Sequence, residues 1–165
     1  MAFEVQQGQI DNNLLITLVG DIDEEAVFPA LTNLSGDVYV DLKAVSSINS
    51  IGIRAWIMWF TEMPSAQLNF INCPKAVVMQ MNMVEGFLPQ GSQVKSLQVP
   101  FYCENCDEEK DIIFHVGKEI LIQGGQVQLK YNKDSICGDG CEPELDVNES
   151  KYFRFLLNGG QSQAA

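Results

Sequence analysis

At 165 residues with 46% apolar side chains, the chain suits one domain of ordinary size, or a domain of about 100 residues with a smaller appendage. The formal charge of −12 divides into 10 acidic and 4 basic side chains over residues 1–100, and 12 and 6 over residues 101–165; neither half has a basic stripe for phosphates, which argues against nucleic acid as a partner. No uninterrupted apolar run approaches the ~18 residues of a membrane helix, and MAFEVQQGQI lacks the basic start and apolar core of a secretory signal, so the expectation is a cytoplasmic protein whose five cysteines stay reduced.

Ala2–Gln6 and Leu14–Val19 read as strands joined through Gly8 and the polar cluster Asp11-Asn12-Asn13. Asp23 is placed to cap a helix with Glu24 and Glu25 in its first turn, shortened or made irregular by Pro29 and closed by Gly36. A buried strand, Val38–Leu42, then leads through a polar loop, Val45–Asn49, into a helix Ser50–Met63 with Ser50 as its N-cap. Gln67–Asn72 is a further strand, Pro74–Met83 a helix opened by proline, and Val94–Val99 the last strand of the run. This alternation predicts an α/β fold, a central sheet with helices over it.

On a helical wheel Gly52, Ile53, Trp56, Ile57, Trp59, Phe60 and Met63 share the face that packs on the sheet. The other face, with Ile51, Arg54, Ala55, Met58, Thr61 and Glu62, is too apolar for an ordinary solvated surface. Either another part of the chain covers it or a partner docks there. Ser50, at the positive end of this helix, is either a cap alone or a site where a phosphate is tolerated.

Leu18-Val19-Gly20-Asp21-Ile22-Asp23, and Val40-Asp41-Leu42-Lys43-Ala44-Val45 followed by Ile48-Asn49-Ser50-Ile51-Gly52-Ile53, together resemble the STAS domain over roughly residues 1–99. That family includes bacterial anti-sigma factor antagonists and the cytosolic domains of sulfate-type anion transporters. The resemblance implies a mixed sheet flanked by helices, and a protein-docking module in which the serine after the motif aspartate is phosphorylated by a kinase that is also the anti-sigma factor. Ser50 and Gly52 match the motif serine and glycine. Asn49 replaces the usual aspartate and Ile51 a small hydroxyl residue, as in members that dock partners without phosphorylation, among them accessory subunits of lipid-transport systems. The partner surface implied is Asn49, Ser50, Ile51, Gly52, Arg54, Ala55 and Met58. The partner is a kinase-like anti-sigma factor or, alternatively, the ATPase or permease of a membrane transport system, or another member of a signalling complex.

From Pro100 the composition changes. Cys103-Glu104-Asn105-Cys106 is answered by Cys137-Gly138-Asp139-Gly140-Cys141, with the strand-like runs Asp111–Val116, Glu119–Gln123 and Gln126–Tyr131 between them. Two close cysteine pairs around a β-hairpin region resemble a zinc ribbon over residues 100–147. Cys103, Cys106, Cys137 and Cys141 would hold a structural Zn²⁺ with no open position; Fe is the alternative metal, and disulfides or unpaired thiols the non-metal ones. Glu104, Asp107, Glu108, Glu109 and Asp111 make the first knuckle acidic, which points to protein contacts. Cys73 reads as a buried small hydrophobe. Asn148–Leu157 reads as a helix capped by Asn148 that packs back on the first unit, so that residues 148–158 close the fold and 159–165 form a disordered tail. With one histidine and no glycine-rich phosphate loop, no enzyme constellation stands out.

Overall fold

The structure, a computed structural model, describes residues 1–31, 34–63, 66–138 and 140–157. The expected tail and the helix stop at Asn158-Gly159-Gly160 lie outside these residues. Strands β1 (Glu4–Ile10) and β2 (Asn13–Ile22) pair antiparallel. Their turn residues Asp11 and Asn12 have φ of 47° and 68°, the left-handed pair of a tight hairpin turn that Asp and Asn tolerate.

The segment expected to be a helix after Asp23 is not one in its described residues. Asp23 Oδ1 accepts from the Glu25 amide at 3.0 Å and the Asp23 carbonyl from the Ala26 amide at 3.1 Å, which makes a single turn. Beyond it tertiary contacts take over. Phe28 sits between the rings of Phe3 and Trp59, at centroid distances of 4.8 and 4.9 Å, and Trp59 Nε1 donates to the Pro29 carbonyl at 2.7 Å. A segment pinned through a carbonyl and an aromatic ring has no need of helical hydrogen bonds, and proline could not have supplied one.

β3 (Asp37–Ile48) is longer than the expected strand and absorbs most of the expected loop: Ala44, Val45, Ser47 and Ile48 still pair, in parallel, with β2. Ser46 and Ser47 are exposed residues of a strand, which the sequence presents as loop polarity. Then follow α1 (Ser50–Glu62), β4 (Gln67–Ile71), α2 (Lys75–Met83) and β5 (Gln93–Val94). The strands lie in the order β1-β2-β3-β4-β5, parallel except for β1, so the chain forms a mixed α/β sheet.

The expected strand Val94–Val99 is split. β5 keeps Gln93 and Val94 beside β4, and β6 (Ser96–Cys103) enters a second sheet, pairing antiparallel with β7 (Glu108–His115). The two stay in one line: after Asn69–Gln93 and Phe70–Val94, the bridge Cys73–Leu97 continues the same parallel register. Between them Asn72 takes φ 55°, and its amide donates to Ser96 Oγ at 2.8 Å, so a side chain repairs the interrupted ladder. The boundary expected between residues 99 and 100 therefore falls inside a strand. β8 (Ile120–Gln123) and β9 (Gln126–Leu129) form a separate hairpin through Gly124 and Gly125, at φ 59° and 74°, and β10 (Glu144–Leu145) pairs antiparallel with the end of β6.

The C-terminal helix is shorter than expected: α3 (Glu149–Tyr152), then a 3₁₀ turn Arg154–Leu156. Asn148 caps it, its Oδ1 accepting from the Lys151 amide at 3.1 Å. It returns to the first unit through α2. Asn82 Nδ2 donates to the Tyr152 carbonyl at 2.9 Å, Asn82 Oδ1 accepts from the Phe155 amide at 2.8 Å, and the Tyr152 hydroxyl donates to the Gln98 carbonyl at 2.6 Å. One hydrophobic core takes in Leu18, Val40, Trp56 and Phe70 with Val99, Phe101, Phe114, Phe153 and Phe155.

Candidate metal centre and docking helix

The first cysteine pair lies where β6 turns into β7. Asp107, at φ 52°, closes that turn and accepts from the Tyr102 hydroxyl at 2.6 Å. The second pair follows the 3₁₀ turn Lys133–Ser135, where the Cys137 amide still donates to the Lys133 carbonyl at 3.2 Å and the Cys141 amide turns back to the Gly138 carbonyl at 3.2 Å. Asn105 Nδ2 then donates to the Gly140 carbonyl at 2.7 Å and ties one knuckle to the other. Nothing in the spacing of the sequence announced that tie.

The Sγ atoms of Cys103, Cys106, Cys137 and Cys141 all lie within 4.8 Å of one another, with Cys106 Sγ 3.3 Å from Cys137 Sγ and 3.4 Å from Cys141 Sγ. A tetrahedral metal with bonds of about 2.3 Å to sulfur sets its ligands about 3.8 Å apart, so the four thiols match the size of such a shell and could hold a metal ion. All five cysteines are free, and Cys73 is buried away from the cluster. Hydrogen bonds from Cys141 and Cys106 draw the Cys137 thiol down to about 7, whereas the thiols of Cys141 and of Cys106 are pushed up, chiefly by their contact with Cys137. A bound cation would favour the thiolate form that metal ligation needs. His115 stands outside the cluster, its Nδ1 3.3 Å from Glu119 Oε1. Around the first knuckle Glu104, Asp107, Glu108, Glu109 and Asp111 are exposed.

Helix α1 is capped by Asn49, not by Ser50. Asn49 has extended backbone, and its Oδ1 accepts from the Gly52 amide at 2.8 Å; Ser50 is the first helical residue and is exposed. The correction has a physical basis, since the other half of the Asn49 amide is also engaged: Nδ2 donates to Glu24 Oε2 at 2.9 Å. Glu24, held by its own backbone N–H and by Asn49, keeps its carboxyl below the ordinary range.

Of the residues expected at a partner surface, Asn49, Ser50, Ile51, Arg54 and Met58 are exposed, Ala55 is half-buried and Gly52 is buried. Gly52 belongs to the packed side because the helix starts against the end of β2: a Cβ there would lie 2.0 Å from the Ile22 carbonyl oxygen. On the same side Trp56 is stacked against Phe87 at 4.6 Å and donates to the Phe87 carbonyl at 2.9 Å. Ile51 and Met58 remain 56% and 55% exposed. No family model, curated protein or solved structure matches the chain. No helix among the described residues is long and apolar enough to cross a membrane.

Proposed function

We propose that the chain is a non-enzymatic protein-docking module of the STAS type, which meets its partner through the outward side of α1 and carries a structural zinc ion on Cys103, Cys106, Cys137 and Cys141. The reading rests on the exposure of Ile51 and Met58, two turns apart on a helix whose opposite side is filled by Trp56, Trp59 and Phe60. Apolar side chains in that position lose unfavourable hydration when a complementary surface covers them. The partner is a kinase-like anti-sigma factor. Phosphorylation of Ser50 adds about −1.5 to −2 charges beside Ile51 and releases it.

Asn49 favours a second reading. With Oδ1 on the Gly52 amide and Nδ2 on Glu24, position 49 offers no carboxylate of its own beside Ser50 and has both halves of its amide engaged. On that reading the same face docks an ATPase of a membrane transport system and Ser50 stays unmodified. Capture of partners from source cells, with mass spectrometry, separates the two. A histidine-kinase-like ATPase and a phosphorylated Ser50 fit the first, and an ABC-type ATPase with unmodified Ser50 the second. In either case Ile51→Asp abolishes capture. A partner retained equally by Ile51→Asp and Met58→Asp overturns docking through α1. Elemental analysis of the purified chain reads the metal: one zinc per chain is expected, and iron or an empty cluster rejects zinc.

A further inference from the structure

Sheets end in strands whose outer N–H and C=O groups have no partner, and proteins guard such strands with charge, proline, bulges or brevity. Most outer strands described here are guarded. β7 opens with Glu108, Glu109, Lys110 and Asp111, β9 has four residues, and β10 has two. β1 is different. It is the outer strand of the five-stranded sheet, seven residues long, without proline or lysine, and paired with β2 in an unbroken register from Glu4 to Ile10. Five of its residues are exposed, and among the described strands only β2 pairs with it, so its outer flank is free.

We infer that β1 pairs antiparallel with β1 of a second copy of this chain, joining two sheets edge to edge about a two-fold axis at Gln7. The charge pattern of the strand selects this occupant. Its one ionised side chain is Glu4, already accepting from Gln6 Nε2 at 3.2 Å. Centred on Gln7, antiparallel pairing sets Glu4 opposite Ile10 of the second copy, Val5 opposite Gln9 and Gln6 opposite Gly8, so like charges never face each other. The two Gln7 amides meet on the axis, each able to donate and to accept. Opposing the contact is the −12 charge carried by each copy, a long-range repulsion that salt screens within about 10 Å at roughly 0.1 M. Self-association therefore strengthens with ionic strength, which is the reverse of a contact made by opposite charges.

The test is the mass of the full chain by sedimentation or light scattering, over a concentration series at low and high salt, with amide exchange on the same samples. The expected result is a mass that doubles at the concentrated end in high salt and falls back towards the monomer in low salt, with β1 amides slowed only where the mass has doubled. Gln7→Lys sets two ammonium groups against each other on the axis while making the chain less acidic, and it stays at monomer mass throughout. Should that variant not fold, Gln9→Lys places a guarding charge on the same exposed edge and is read in the same way. Monomer mass under every condition overturns the inference. So does a dimer that survives the lysine variant, or one whose β1 amides exchange as fast as in the monomer.

Discussion

The amide of Asn49 bridges two elements: Oδ1 takes the Gly52 amide proton at 2.8 Å, and Nδ2 donates to Glu24 Oε2 at 2.9 Å. The first contact closes the N-terminus of α1, and the second fastens the turn after β2 to it. Asn49→Ala removes both and is expected to cost about 1 kcal/mol, the usual loss of a cap, whereas Ser50→Ala costs a small fraction of that. Paired denaturant titrations check the order. Equal losses would mean that the cap is shared.

The same bridge sets an acid-side signature. Glu24 has a carboxyl pKa lowered in the folded chain, so its contribution to stability is present above the ordinary carboxylate range and fades as pH falls through the lowered value. Asn49→Asp keeps the cap and replaces the donor to Glu24 by a second carboxylate. The Glu24 pKa is then expected to rise, as read by carbon-detected NMR titration, and the variant loses stability towards neutral pH instead of towards acid.

Gly52→Ala tests how closely α1 approaches β2. Alanine improves helix propensity, but its methyl would sit 2.0 Å from the Ile22 carbonyl oxygen, an atom of the backbone that cannot swing away. The net expectation is a loss of about 2 kcal/mol by shift of the unfolding midpoint, the scale of an overpacked core. A neutral or stabilising alanine would mean that the helix start is displaced from β2.

Thiol counting resolves the cysteines. With a chelator present, the exposed Cys106 and half-buried Cys141 are expected to react readily with a disulfide reagent, and the buried Cys103 and Cys137 more slowly as the emptied cluster opens. The fifth, Cys73, is fully buried and its thiol is pushed far up by burial, with the Asp41 carboxylate adding to the shift, so it reacts only after denaturation. Metal added before the reagent protects the four and leaves the behaviour of Cys73 unchanged.

Asn82→Ala tests how the chain end is held. This side chain donates to the Tyr152 carbonyl and accepts from the Phe155 amide, and its loss leaves both backbone groups half-buried without that partner. A destabilisation of about 2 kcal/mol is expected, with amide exchange accelerated first in residues 149–157.

What the sequence made legible was periodicity and paired cysteines. The wheel of α1 sorted Trp56, Trp59 and Phe60 inward and Ile51 and Met58 outward, because a 3.6-residue repeat survives in any context that buries one face. Cys103, Cys106, Cys137 and Cys141 were paired by spacing, and the fold brings their sulfurs together. Illegible were features set by contacts distant in the chain. Trp59 reaching Pro29 replaced an expected helix. The second hydrogen bond of Asn49 moved the cap by one residue. Phe153 is buried at the junction where α3 ends and the 3₁₀ turn begins, a break that the run Asn148–Leu157 did not announce.

Because one extended run, Gln93 to Cys103, lines up first beside β4 and then beside β7, the two halves of the molecule are hostage to each other. Neither can be lost or traded between genes at residue 99 without leaving a raw flank on the half that remains. Calorimetry should accordingly record a single melting event, with the cysteine-bearing half unable to outlive the sheet it grew from.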